Sequence, residues 1–127
     1  MKTILILGSE VDQPHADKIT AALDERKIPH ETFVASAHKK TREVLELVER
    51  FADEKVVFVT IAGRSNALSG VVAANSTKPV LACPPFKSKD DYSVNIHSTL
   101  QMPSGTPVLA ILDPGNCAEA AARILKN

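Results

Sequence analysis

The chain has no surplus of charge of either sign: fifteen Lys and Arg offset fifteen Asp and Glu over 127 residues. That balance removes the global field that would draw it to nucleic acid or an anionic membrane, so any anion it binds is held locally. Cysteine is scarce. Cys83 and Cys117 stand far apart, without the close paired spacing of a structural zinc site or a thioredoxin-type redox pair, which predicts reduced thiols and a cytoplasmic protein. No apolar run approaches the roughly twenty residues needed to cross a bilayer. Met1-Lys2-Thr3 leads straight into the short run Ile4-Leu5-Ile6-Leu7, and the expectation is neither secretion nor membrane anchoring. There is no GxGxxG and no GxxxxGK, and residues 63–67 read Gly-Arg-Ser-Asn-Ala where a GxSxG elbow would need a second glycine. Dinucleotide, triphosphate and α/β-hydrolase chemistry lose support accordingly. No two histidines have ligand-like spacing with a carboxylate on the same face, so no metal site is expected.

What is present is an ordinary globular composition, 44% hydrophobic and 24% charged, in a length that suits one domain over residues 1–127 with a core of its own. Short β-type runs alternate with helical patterns throughout. The runs are Thr3 to Leu7, Glu31 to Ala35, Val56 to Ala62, Val80 to Cys83 and Val108 to Leu112. Between them, Asp12 to Arg26 gathers Ala16, Ile19 and Leu23 on one face, and Thr41 to Ala52 does the same with Val44, Leu47, Val48 and Phe51, as amphipathic helices do. Further helices are expected over Ala67 to Ala74, within Asp91 to Leu100, and from about Asn116 to Leu125. Five βα units with right-handed crossovers make a doubly wound parallel sheet in a three-layer α/β/α sandwich of flavodoxin-like type. The stretch Pro84-Pro85-Phe86-Lys87-Ser88-Lys89 reads as a surface loop.

Such sheets bind ligands outside the carboxyl ends of their strands, where backbone amides and helix amino termini converge. Polar and small residues collect there: Gly8-Ser9-Glu10-Val11-Asp12 after the first strand, Ser36-Ala37-His38-Lys39 after the second, Ala62-Gly63-Arg64-Ser65-Asn66 after the third. Gly8-Ser9 also suits a plain turn, Asp12 a helix N-cap, and Ser65 or Asn66 a cap for the third helix. Arg64 is a bulky cation where a small turn residue would serve, which points to an anion. His38 directly follows a strand, lies between a small residue and a cation, and belongs to the one side-chain type that changes charge near neutral pH, making it the foremost candidate to move a proton. His15 and His97 fall in predicted helices and His30 precedes a strand, so all three read as structural or solvated.

Taken together, Gly8-Ser9-x-x-Asp12, Ser36-Ala37-His38-Lys39, Ala62-Gly63-Arg64-Ser65-Asn66 and Gln101-Met102-Pro103-Ser104-Gly105 resemble the aminoimidazole ribonucleotide carboxylases of purine biosynthesis, the PurE family. The Ser-Ala-His-Lys and Ala-Gly-Arg-Ser-Asn segments, with Cys83-Pro84-Pro85, look like the class II branch, which carboxylates aminoimidazole ribonucleotide directly with carbon dioxide. The resemblance implies a reversible reaction without metal, ATP or biotin. His38 would be the general base and Lys39 a catalytic cation beside it. Gly8, Ser9 and Asp12 would bind sugar and phosphate, Ser36, Ala37, Gly63, Arg64, Ser65 and Asn66 would face the substrate ring, and Lys39 and Arg64 would supply positive charge for the new carboxylate or the phosphate. It also implies a homo-oligomer, an octamer in the family. Two departures stand out. Val11 occupies the place of a serine in the common Gly-Ser-x-Ser-Asp loop, and the chain stops at Asn127 where relatives often continue into a helix that embraces a neighbour, so a looser assembly is expected. Two rival readings remain at this point: a class I mutase acting on the N-carboxylated nucleotide, against which Lys39 and Arg64 argue, and a non-catalytic flavodoxin-like nucleotide-binding module.

Overall fold

A computed structural model describes residues 1–127. Five strands, β1 (Lys2–Leu7), β2 (His30–Val34), β3 (Val56–Ile61), β4 (Val80–Ala82) and β5 (Leu109–Ala110), form one sheet in the order β2-β1-β3-β4-β5, with every pairing parallel. They alternate with α1 (Gln13–Glu25), α2 (Thr41–Arg50), α3 (Ala67–Ala74), α4 (Lys89–Leu100) and α5 (Pro114–Leu125). This is the flavodoxin-like doubly wound architecture.

Both faces of the sheet are covered, which is why β1 and β3 read as continuous apolar runs rather than as alternating ones. Alternate residues serve opposite layers. Leu5, Leu7, Val57, Val59 and Ile61 pack with Ala16, Ile19 and Leu23 of α1 and with Cys117, Ala118 and Ala121 of α5. Ile4, Ile6, Val56 and Phe58 pack with Val44 and Val48 of α2 and with Leu68 and Val72 of α3. Each fully buried Leu or Ile contributes roughly 1.5–3 kcal/mol. Leu7→Ala, at the end of β1 where the site begins, would cost about 2–5 kcal/mol through lost burial and the cavity left behind.

The topology itself creates the site. The chain leaves β1 for β2 on one side, then crosses back to β3 on the other, so a crevice opens where the order reverses. Register aligns the three strand ends: Leu7 of β1 lies opposite both Val34 of β2 and Ile61 of β3. The three loops that follow therefore leave the sheet at one level.

Four elements differ in extent from the sequence reading. α1 begins at Gln13 because a 3-10 turn over Glu10–Asp12 precedes it. α4 and α5 start earlier than expected, at Lys89 and Pro114, behind the capping side chains of Ser88 and Asp113. β5 is two residues long rather than five: as an edge strand it pairs with β4 alone, and Leu109 and Leu112 are exposed.

Candidate active site

The first loop is shaped by Ser9. Its backbone is extended, and its Oγ accepts from the Val11 amide at 3.3 Å, capping the 3-10 turn. Asp12 takes the N-cap position of α1 but makes no side-chain cap there. Its carboxyl is thereby left for the crevice, and partial burial raises its pKa above the ordinary 3.8 against the opposing charges of His15 and Lys87.

The second loop is a closed turn. Ser36 Oγ accepts from the Lys39 amide at 3.2 Å, the Lys40 amide donates to Ser36 O at 2.8 Å, and Thr41 Oγ1 donates to Ala37 O at 2.5 Å. Ala37 is buried beneath it, which leaves His38 exposed at the crest. In both loops the serine oxygen accepts from the backbone, so each hydroxyl proton remains available to a ligand.

The third loop carries backbone strain. Ser65 has φ 48, in the left-handed region that side chains other than glycine seldom adopt. A tight turn follows, the Ala67 amide donating to Ser65 O at 2.8 Å. The strain leaves Arg64 and Ser65 exposed at the rim while Asn66 is buried.

These loops enclose one cavity of about 760 Å³, lined by Gly8, Ser9 and Asp12, by Ser36, Ala37 and His38, and by Gly63, Arg64 and Ser65. That size suits a nucleotide. Two of the sequence candidates lie outside the lining. Lys39 is exposed on the turn beyond His38 and meets the site only through its backbone amide. Asn66 spends its side chain inside the protein: its Oδ1 accepts from the Ser69 amide, and its Nδ2 donates to Ser69 Oγ and Thr99 Oγ1. It caps α3, in the structural role that an asparagine before a helix commonly takes.

The opposite wall comes from segments that read in the sequence as a surface loop and a plain helix. Pro85, Lys87, Asp90, Asp91, Val94 and Asn95, from the loop after β4 and from α4, complete the cavity together with Val11, Ala62, Ala67 and Leu68. Asp91 is held below the usual carboxylate range by hydrogen bonds from the Lys87 amide at 2.9 Å and from Asn95 Nδ2 at 2.7 Å, with Arg64 and Lys87 adding positive charge. The only signals for this wall are Ser88 three residues before Asp91, a capping pattern, and the polar character of the helix start.

The remaining histidines play other parts. His30 pairs with Asp24 at 2.8 Å, and His97 is exposed on α4. His15 approaches Cys83 behind the first loop. Nowhere do three or more His, Cys, Asp or Glu side chains cluster as a metal ion would need, and no helix is long and apolar enough to cross a membrane.

The chain matches a family model described as AIR carboxylase over residues 2–127. A phosphoribosylaminoimidazole carboxylase of Archaeoglobus fulgidus is 44% identical over 124 residues, covering 98% of this chain and 68% of that one. A protein of the same name from Treponema denticola is 39% identical over 123 residues, covering 95% and 77%. The crystal structure of Treponema denticola PurE superposes with a TM-score of 0.91 at 38% identity, covering 98% of this chain and 79% of that one. A family match along nearly the whole chain and a shared fold agree, and the chain belongs to the AIR carboxylase family.

Proposed function

We propose that this protein carboxylates aminoimidazole ribonucleotide with carbon dioxide, reversibly, in purine biosynthesis. The observation that carries the reading is the meeting of Ser9, His38 and Arg64 on one nucleotide-sized cavity at the switch point of the sheet.

An aminoimidazole is an electron-rich enamine. Once ring and carbon dioxide are held together away from water, the enamine electron pair forms the new carbon–carbon bond and one C=O bond of carbon dioxide opens to a carboxylate. The attacked ring carbon then carries both a hydrogen and the carboxylate. His38 takes that proton, restoring the aromatic ring, and its exposure lets it pass the proton to solvent. In reverse, the same imidazole delivers the proton and carbon dioxide leaves. Arg64, at the rim, supplies positive charge for the carboxylate or the phosphate. The free hydroxyl protons of Ser9 and Ser36 and the carboxyl of Asp12 fix the ribonucleotide. Lys39 lies outside the lining and is assigned no contact with substrate.

The reading extends to residues 1–127 working as one catalytic domain, in the cytoplasm, within a homo-octamer of the kind the PurE resemblance implies. Exposed Leu100, Leu109 and Leu112 around the β5 edge provide apolar surface for a neighbouring copy.

Supplying two substrates separately tests the proposal. Turnover of aminoimidazole ribonucleotide with bicarbonate supports it; turnover of the N-carboxylated nucleotide alone would reassign the protein as a mutase, and turnover of neither would overturn the enzymatic reading.

A further inference from the structure

Beneath the strained third loop lies a buried polar network that belongs to no ligand contact. Thr60, the penultimate residue of β3, shares a hydrogen bond of 2.6 Å with Ser69 Oγ. Ser69 Oγ also accepts from Asn66 Nδ2 at 2.7 Å, and the second proton of that amide goes to Thr99 Oγ1 of α4 at 3.0 Å. The Asn66 backbone amide donates to Ser98 Oγ at 2.8 Å. Thr60, Asn66, Ser69 and Thr99 are all almost fully buried. Buried polar groups of this kind are costly unless every one is satisfied, and here two consecutive hydroxyls of α4 complete the set.

The geometry points to Thr99, with Ser98, as a positioning residue for the reaction: through Asn66 they hold the left-handed turn at Ser65 that presents Arg64 to the cavity. A backbone conformation as unfavourable as φ 48 at a serine persists only where its surroundings over-determine it. Asn66 follows that serine directly, and both its backbone amide and its side chain are fastened to α4. The same helix supplies Asp91 and Asn95 to the opposite wall, so the network also sets the two walls in register. Neither Ser98 nor Thr99 lines the cavity.

The inference rests on the proposed carboxylation for its kinetic readout, and on amide exchange for a readout independent of it. Thr99→Val keeps the shape and removes the acceptor, while Thr99→Ser keeps the hydroxyl. In Thr99→Val, amide exchange over residues 63–67 is expected to accelerate with β1 and α5 unchanged, and kcat/KM to fall about tenfold, a loss typical of one unsatisfied buried donor. Thr99→Ser is expected to restore both. Should Thr99→Val fail to fold, Ser98→Ala, at a half-buried position, carries the same expectation. Unchanged exchange over 63–67, uniformly faster exchange throughout the protein, or an undiminished kcat/KM would overturn the inference. A wild-type protein without turnover would defeat the carboxylase reading and leave exchange to decide the positioning role.

Discussion

His15 Nε2 lies 3.5 Å from the Sγ of Cys83, which joins the first helix to the end of the fourth strand directly behind the substrate crevice. Cys83 is wholly buried, donates to Leu112 O at 3.6 Å, and lies in the same core cluster as the equally buried Cys117. Interaction with Cys117, reinforced by His15, pulls the Cys83 thiol well below its ordinary value of 9.0 and pushes Cys117 up. Titration of thiolate absorbance in the native protein should show one early step and nothing from the second thiol. Cys117→Ala should move that step upward. Two thiols titrating together near 9 would contradict the pairing.

Asp12 gives a pH-dependent prediction. Burial raises its native pKa above the unfolded 3.8, so the native state holds the proton more tightly. The stabilisation this provides is complete below about pH 3.8 and is lost as pH rises through the native value, leaving a buried charge as a cost at neutrality. Asp12→Asn should therefore melt higher than wild type at pH 7, with the difference vanishing in acid. Its kcat/KM should fall about tenfold or more, as expected for a lost hydrogen bond to substrate. A variant less stable than wild type at neutral pH would show that the carboxylate is stabilising.

Val11 is 77% exposed, on the turn capped by Ser9, and lines the cavity. A hydroxyl there would face a phosphate in that loop. Val11→Ser should lower KM by about tenfold, the effect of one added hydrogen bond to a charged group, while leaving the melting temperature nearly unchanged because the side chain buries little. An unaltered KM would place the phosphate elsewhere.

Much of this arrangement is legible from residue types. Alternating apolar runs and amphipathic helices disclose five βα units, and the rule for carboxyl strand ends brings Ser9, His38 and Arg64 together because Leu7, Val34 and Ile61 end in register. Other parts depend on tertiary context. Asn66 reads equally as ligand or cap until Thr99, 33 positions away, claims its second amide proton. The left-handed backbone of Ser65 has no signature of its own, since serine does not advertise positive φ as glycine does. The wall formed by Lys87, Asp91 and Asn95 was hidden because α4 buries only Ile96 and Thr99, too few to mark a face.

His38 stands exposed on a turn whose hydrogen bonds come from Ser36, Lys39, Lys40 and Thr41. His38→Ala should therefore leave the fold and melting temperature intact while reducing turnover by about 10²–10⁴-fold, the usual worth of general acid–base catalysis. A large drop in stability would assign the imidazole a structural role instead.

Carboxylation by this protein is read most simply by following labelled bicarbonate into aminoimidazole ribonucleotide in the presence of the pure protein, with His38→Ala alongside. Label bonded to the ring carbon is expected with wild type, without added ATP, and almost none with the variant. Equal labelling by both proteins, or none by wild type where a family relative labels the nucleotide, would contradict it.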